Sequence, residues 1–120
     1  MNVTVLDHPL INHYMTIIRN KNTSSSEFKS LAKKVSVLMG FEVFKELLVN
    51  NHKIETPIEN YRGIKINEPY PCLVSILRAG SIIVDGLSEI FPYCSTGYIG
   101  IFRDEKSLKP VSYTHRRCRR

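Results

Sequence analysis

The sequence has no tryptophan, only three cysteines, and no apolar run that approaches the length of a membrane span. A helix needs about 20 apolar residues to cross a bilayer, and the first residues lack the basic and apolar regions of a signal peptide. Cys72, Cys94 and Cys118 are widely spaced and include no Cys-x-x-Cys pair, so they support neither a disulfide framework nor a zinc site. We therefore expect a cytoplasmic protein with reduced thiols and no membrane partner.

Length and composition are typical of one small globular domain. The chain has 120 residues, of which 42% are hydrophobic and 23% are charged. A chain of this size forms one core and leaves little room for a second. The composition excludes an intrinsically disordered chain and a collagen-like chain.

The excess positive charge is concentrated at the C-terminus. Lysine and arginine number 17 against 11 acidic residues, and the last five residues contain four of the arginines. Without these four charges the net charge falls from +6 to +2. A solvated basic tail therefore explains the charge better than a nucleic-acid-binding arm does, and we expect no nucleic-acid partner.

A long helix is predicted in the first half of the chain. Ser24 and Glu27 form a capping box, and apolar residues then recur at spacings of three or four to about Leu48. Gly40 disfavours a helix unless it serves packing. We therefore expect either a close packing contact or a bend at Gly40.

Shorter elements flank this helix. Residues 3–6 are compatible with a short strand, and a shorter helix begins around Pro9, which suits a first helical turn. Residues 54–58 and 64–66 predict two strands of a hairpin or meander around residues 60–63.

The second half of the chain predicts a strand, a helix and a second strand. The apolar run at residues 72–77 is typical of a strand buried on both faces of a parallel sheet, with its cysteine in the core. A helical stripe follows from Ser81 to about Phe91, and residues 97–102 predict the next strand. Such crossovers are right-handed with parallel strands, so both strands end at the same edge of the sheet.

Two arginines follow these strands. Arg78 comes directly after the first strand and Arg103 directly after the second, which predicts that both lie at the ligand-binding edge of an α/β sheet. The loop at Arg78 leads into a helix N-terminus, which favours anions, and Gly80 permits close backbone approach. Arginine offers paired donors to phosphate. Equally open is a reading in which Gly80 only allows a turn and the arginines pair with Asp85 or Asp104.

The remaining polar residues predict no second site. His8 is expected to cap the helix that follows it, and Asp85 and Glu89 are expected to face solvent. Arg19 and Lys21 suit a solvated helix end better than an effector-binding surface. No histidine or cysteine stands at metal-ligand spacing, so no metal-ligating residue is predicted.

Several stretches, in this order, resemble uracil phosphoribosyltransferase over about residues 3–113. They are VLDHPLI at 5–11, TIIRNKNT at 16–23, IETP at 54–57, ILRAG at 76–80, VDG at 84–86, GYIGIFRD at 97–104 and LKPV at 108–111. Several independent motifs at matching separations make this resemblance more specific than any single pattern.

The resemblance implies a type I phosphoribosyltransferase fold, which is an α/β parallel sheet flanked by helices, with additional N-terminal helices. The implied reaction joins uracil and 5-phosphoribosyl 1-diphosphate to give UMP and diphosphate, with Mg²⁺ accompanying the donor. Arg78, Ala79, Gly80 and Arg103 match the family's positions that contact phosphoribosyl diphosphate. A homo-oligomer and a nucleotide effector such as GTP are also implied, whereas no catalytic residue is assigned.

The sequence departs from the family pattern after Tyr113. We expect a truncated phosphoribosyltransferase domain at 1–113 and a basic tail unlike the family at 114–120. Family members continue through an active-site loop, a ribose 5-phosphate cradle and a uracil-recognising stretch. We therefore expect the chain to be inactive alone. The alternative is a non-catalytic isoform or fragment that binds a phosphorylated ligand or pairs with a full-length subunit.

Overall fold

The computed structural model describes residues 3–103 and 110–113. The described residues form three helices and five strands: two helices come first, the strands follow, and the third helix lies between the third and fourth strands. In chain order they are α1 (Pro9–Ile18), α2 (Ser25–Val43), a 3-10 turn (Phe44–Glu46), β1 (Val49–Glu55), β2 (Asn60–Ile66), β3 (Cys72–Leu77), α3 (Ser81–Ile90), β4 (Ser95–Arg103) and β5 (Pro110–Tyr113).

The strands form two separate sheets. β1 and β2 pair as an antiparallel hairpin, and β3, β4 and β5 form a sheet in that order. β3 and β4 are parallel, with Ser75 opposite Tyr98, whereas β5 runs antiparallel to β4. The predicted strand–helix–strand unit and the α/β fold class are therefore confirmed.

Side-chain caps begin the two N-terminal helices. The Ser24 hydroxyl accepts a hydrogen bond of 3.2 Å from the backbone N–H of Glu27, which satisfies one of the free donors at the start of α2. The Nδ1 atom of His8 accepts from the N–H of Leu10 in the same way, at 3.2 Å. Both predicted caps are therefore confirmed.

The core lies where α2 packs against α3. Its buried apolar side chains are Leu31, Val35, Val84 and Phe91. A Cβ atom at Gly86 would lie 2.6 Å from the Cβ of Ser36, and one at Gly40 would lie 2.5 Å from Ile90 Cδ1. At Gly86 the backbones of the two helices approach too closely for a side chain, and at Gly40 the side chains of Leu87 and Ile90 occupy the place of a Cβ. The predicted packing contact at Gly40 is confirmed.

Two predictions for the first half of the chain are wrong. Residues 3–6 form no strand, since no described segment pairs with them and Val5 is 82% exposed. α2 ends at Val43 rather than near Leu48, because the chain winds into the 3-10 turn and then enters β1.

The hairpin turn lies four residues earlier than predicted. The N–H and the hydroxyl of Thr56 both donate to the carbonyl of Glu59, at 3.0 and 2.6 Å, and close the turn. Gly63 sits inside β2 opposite His52 and makes no turn. The side chain of Thr56 thus closes the turn at residues 56–59 rather than at the predicted residues 60–63.

β3 is not buried on both faces, contrary to the prediction. Ser75 is its only buried residue, whereas Val74 and Ile76 are 56% and 55% exposed and Cys72 is also exposed. α3 contacts β3 from one side, but no described element covers the opposite side, where Ile76 neighbours Ile99. We call this uncovered side the outer face; its residues on β3 and β4 include Cys72, Val74, Ile76, Ser95, Gly97, Ile99 and Ile101.

Candidate functional site

The two predicted arginines lie at one edge of the β3–β4 sheet. Arg78 directly follows Leu77, the last residue of β3, and Arg103 is the last residue of β4. Because the strands are parallel, both positions are at their C-terminal ends. Leu77 is opposite Gly100, so the backbone of Arg103 lies three residues, or about 10 Å, further along the strand direction. This is the edge where α/β sheets bind ligands.

The loop at residues 78–80 is a tight turn between β3 and α3. The N–H of Gly80 donates to the carbonyl of Ile76 at 3.0 Å, and the Ser81 hydroxyl donates to the carbonyl of Arg78 at 2.6 Å. The peptide bond between Leu77 and Arg78 is cis. The two hydrogen bonds attach the loop to β3 and to the start of α3, so its backbone is held in place before any ligand arrives.

Gly80 has a structural role of its own. Its φ of −68° is ordinary helical backbone, so no left-handed conformation requires glycine here. A Cβ atom would instead lie 2.9 Å from the carbonyl oxygen of Ile76 and 3.2 Å from the hydroxyl of Ser75. Gly80 therefore allows the backbone of the loop to pack closely against β3.

Ser75 is a residue that the sequence reasoning missed. It is 2% exposed, and its hydroxyl oxygen has no hydrogen-bond partner among the described residues. The signal was a single polar residue inside the apolar run at 72–77. It lies directly beneath Gly80, so the loop rests on a buried polar group.

Free donors surround the loop. The backbone N–H groups of Ala79 and Ile82 make no backbone hydrogen bond within the described residues, and both are at the N-terminal end of α3. Arg78 is exposed and forms no ion pair with Asp85 or any other described carboxylate. Asp104, the other proposed partner, lies outside the described residues. The loop thus combines backbone donors, a helix N-terminus and an exposed arginine, which are the groups that bind anions.

The nearby carboxylates do not form an acid–base pair. Asp85 and Glu89 are both exposed on α3, as predicted. Glu89 forms an ion pair with Lys33 of α2, and its hydrogen bond and charge raise the pKa of Lys33. Lys33 and Glu89 therefore link α2 and α3 at the surface, and Asp85 and Glu89 do not form a carboxylate pair for proton transfer.

The described residues do not form a metal-binding cluster. No group of three or more histidine, cysteine or acidic side chains comes together within residues 3–103. Mg²⁺ is bound through a few carboxylates together with substrate phosphates rather than by all-protein cages. The described part of the chain lacks a ligand set of its own for Mg²⁺.

Arg19 and Lys21, considered above for an effector surface, are exposed at the end of α1.

Comparison with known sequences assigns the family. The sequence profile of uracil phosphoribosyltransferase matches residues 5–117. The chain belongs to the uracil phosphoribosyltransferase family. It is 43% identical over 111 residues to a uracil phosphoribosyltransferase from Alkaliphilus oremlandii, covering 92% of this chain and 53% of that protein. It is 40% identical over 113 residues to one from Thermosipho melanesiensis, covering 94% and 54%.

A solved structure shares the fold. The AQ2163 protein from Aquifex aeolicus superposes with a TM-score of 0.81 at 31% identity, over 92% of this chain and 53% of that one. The chain thus spans about half the length of the relatives it matches. Among the helices that the structure describes, none is both long and apolar enough to span a membrane.

Proposed function

We propose that this chain provides the diphosphate-binding side of a uracil phosphoribosyltransferase, which converts uracil and 5-phosphoribosyl 1-diphosphate to UMP and diphosphate. The observation that carries the proposal is the loop at 78–80, which leads into α3 at the same sheet edge as Arg103. Family membership supplies the reaction, and this edge supplies a place for the donor's diphosphate.

In this proposal the described residues act by position and charge. The N–H groups of Ala79 and Ile82 and the guanidinium of Arg78 hold the diphosphate. They stabilise its growing negative charge as the bond to C1 of the ribose breaks. Arginine stays protonated at neutral pH, so neither Arg78 nor Arg103 donates a proton. Mg²⁺ would come with the donor's phosphates.

We further propose that the 120-residue chain alone makes no UMP. The relatives have about as many further residues as they share with this chain. A phosphoribosyl transfer needs donor and acceptor held together, and about 7 to 11 kcal/mol of the barrier depends on that positioning. In this proposal the described residues hold the diphosphate and give uracil no defined position.

The direct test of the loop is binding of diphosphate, measured by isothermal titration calorimetry at low and high salt. We expect weak, salt-sensitive binding that Arg78→Ala weakens by about tenfold or more, because a charge-assisted contact is lost. Arg103→Ala should also weaken it. Arg62→Ala, an exposed arginine on the separate hairpin, is the matched control. Equal binding by Arg78→Ala and Arg62→Ala would contradict the proposal.

A second candidate function is pairing with a full-length subunit. The outer face favours it, because Val74, Ile76 and Ile101 expose apolar surface that parallel sheets normally bury. Size-exclusion chromatography with the full-length Alkaliphilus oremlandii relative should then give a mixed complex, which Ile76→Lys weakens. Ile58→Lys, on a hairpin residue that is 94% exposed, is the control. Separate elution of the two proteins would contradict pairing.

A further inference from the structure

Two cysteines lie at the N-terminal ends of β3 and β4, at the end of the sheet opposite the diphosphate loop. Cys72 is the first residue of β3 and is paired in register with Ser95, the first residue of β4; Cys94 immediately precedes Ser95. Neighbouring strands are about 4.8 Å apart and consecutive Cα atoms 3.8 Å, which places the two cysteine Cα atoms about 6 Å apart. Disulfides join Cα atoms separated by about 4.4 to 6.8 Å.

The two thiols differ in their exposure to solvent. Cys72 is exposed, and Cys94 is half-buried. Burial raises the pKa of the Cys94 thiol, and the negative charge of a Cys72 thiolate raises it further. A Cβ atom at Gly97 would lie 3.9 Å from Cys72 Sγ, so the missing side chain of this glycine leaves space beside the sulfur.

We propose that Cys72 and Cys94 are a redox-sensitive thiol pair, which a low-molecular-weight disulfide such as oxidised glutathione converts to an intramolecular disulfide. The exposed Cys72 thiolate attacks oxidised glutathione, whose S–S bond breaks and releases one glutathione thiol. The Cys94 sulfur then attacks the mixed disulfide at Cys72 and displaces the second glutathione. Two protein thiols are oxidised, one glutathione disulfide is reduced to two thiols, and the two protein protons go to the leaving thiolates.

The disulfide would connect the N-terminal ends of β3 and β4. It closes the segment from Cys72 to Cys94, which carries the loop at 78–80 and the whole of α3. β3 has six residues, so Arg78 lies about 20 Å from this bond along the strand. The pair therefore stands apart from the diphosphate donors, and its oxidation does not depend on the proposed function.

Peptide mapping of the oxidised full chain tests the pair. The native protein is treated with oxidised glutathione, its remaining thiols are alkylated, and trypsin cuts after Lys65, Arg78 and Arg103. We expect loss of two of the three thiols and one dominant cross-linked product, joining peptide 66–78 to peptide 79–103. Alkylated or singly glutathionylated Cys72 and Cys94 as the main products would overturn the proposal, as would predominant links to Cys118.

Two controls show whether the fold selects this pair. Cys118→Ser should leave the cross-link between the two peptides unchanged, because Cys118 takes no part. The same oxidation in concentrated urea should produce all three pairings of the three cysteines, since the strand register is lost. An equal mixture of pairings in native buffer, or loss of the cross-link in Cys118→Ser, would show that the register does not bring the two thiols together.

Discussion

The contact between α2 and α3 and the outer face of the β3–β4 sheet are built from similar apolar residues but end in opposite environments. At the helix contact, Val35 and Val84 are 8% and 5% exposed, and Gly86 allows the two backbones to approach closely. On the outer face, Val74 and Ile76 keep more than half of their surface exposed. Within residues 3–103 and 110–113, the two helices therefore bury apolar side chains against each other, whereas one side of the sheet is uncovered.

This difference agrees with the length of the match to known relatives. Parallel sheets are covered by helices on both faces, and only one face of β3 contacts a described helix. The relatives, of which this chain spans about half, have further residues beyond the match. The contact between α2 and α3 also includes the helix whose N-terminus follows the loop at 78–80 and its backbone donors.

The largest expected effect on stability comes from a cavity at the helix contact. Leu31→Ala removes a side chain that is 7% exposed and should lower the free energy of unfolding by about 2 to 5 kcal/mol. Ile76→Ala on the outer face removes mainly solvated surface and should cost much less. Urea unfolding followed by circular dichroism measures both. Equal losses would show that the two regions are packed alike.

A smaller effect is expected from an added methyl group at the two glycines of these regions. Gly86→Ala would place its Cβ 2.9 Å from the carbonyl oxygen of Lys33, so the helices must separate, at about 1 to 3 kcal/mol. Gly97→Ala meets Val74 Cγ2 at an ordinary 3.6 Å and should leave stability nearly unchanged. Thermal unfolding of the pair distinguishes them, and a destabilised Gly97→Ala with a normal Gly86→Ala would reverse the comparison.

Local sequence signals predicted the elements that depend on local contacts. The cap at Ser24, the bounds of β3 and the start of α3 at Ser81 follow from patterns within a few residues. The parallel pairing of β3 and β4, and with it the shared edge of Arg78 and Arg103, follows from the handedness of crossovers.

Features that depend on distant partners could not be predicted in the same way. An apolar run such as 72–77 indicates a buried strand, but its burial requires a covering layer that no described element supplies on the outer face. The hairpin turn was missed because a side-chain contact of Thr56 closes it and Gly63 pairs within the strand. The proximity of Cys72 and Cys94 depends on strand register, which composition and spacing do not reveal.

The most direct test of the account is UMP formation from labelled uracil and 5-phosphoribosyl 1-diphosphate with Mg²⁺, using the purified chain free of any full-length homologue. The account predicts diphosphate binding that depends on Arg78, together with no detectable UMP, because the proposed function assigns the diphosphate alone to the described residues. The full-length Alkaliphilus oremlandii relative serves as the positive control. Robust UMP synthesis by the 120-residue chain alone would contradict the central claim that it provides only the diphosphate side.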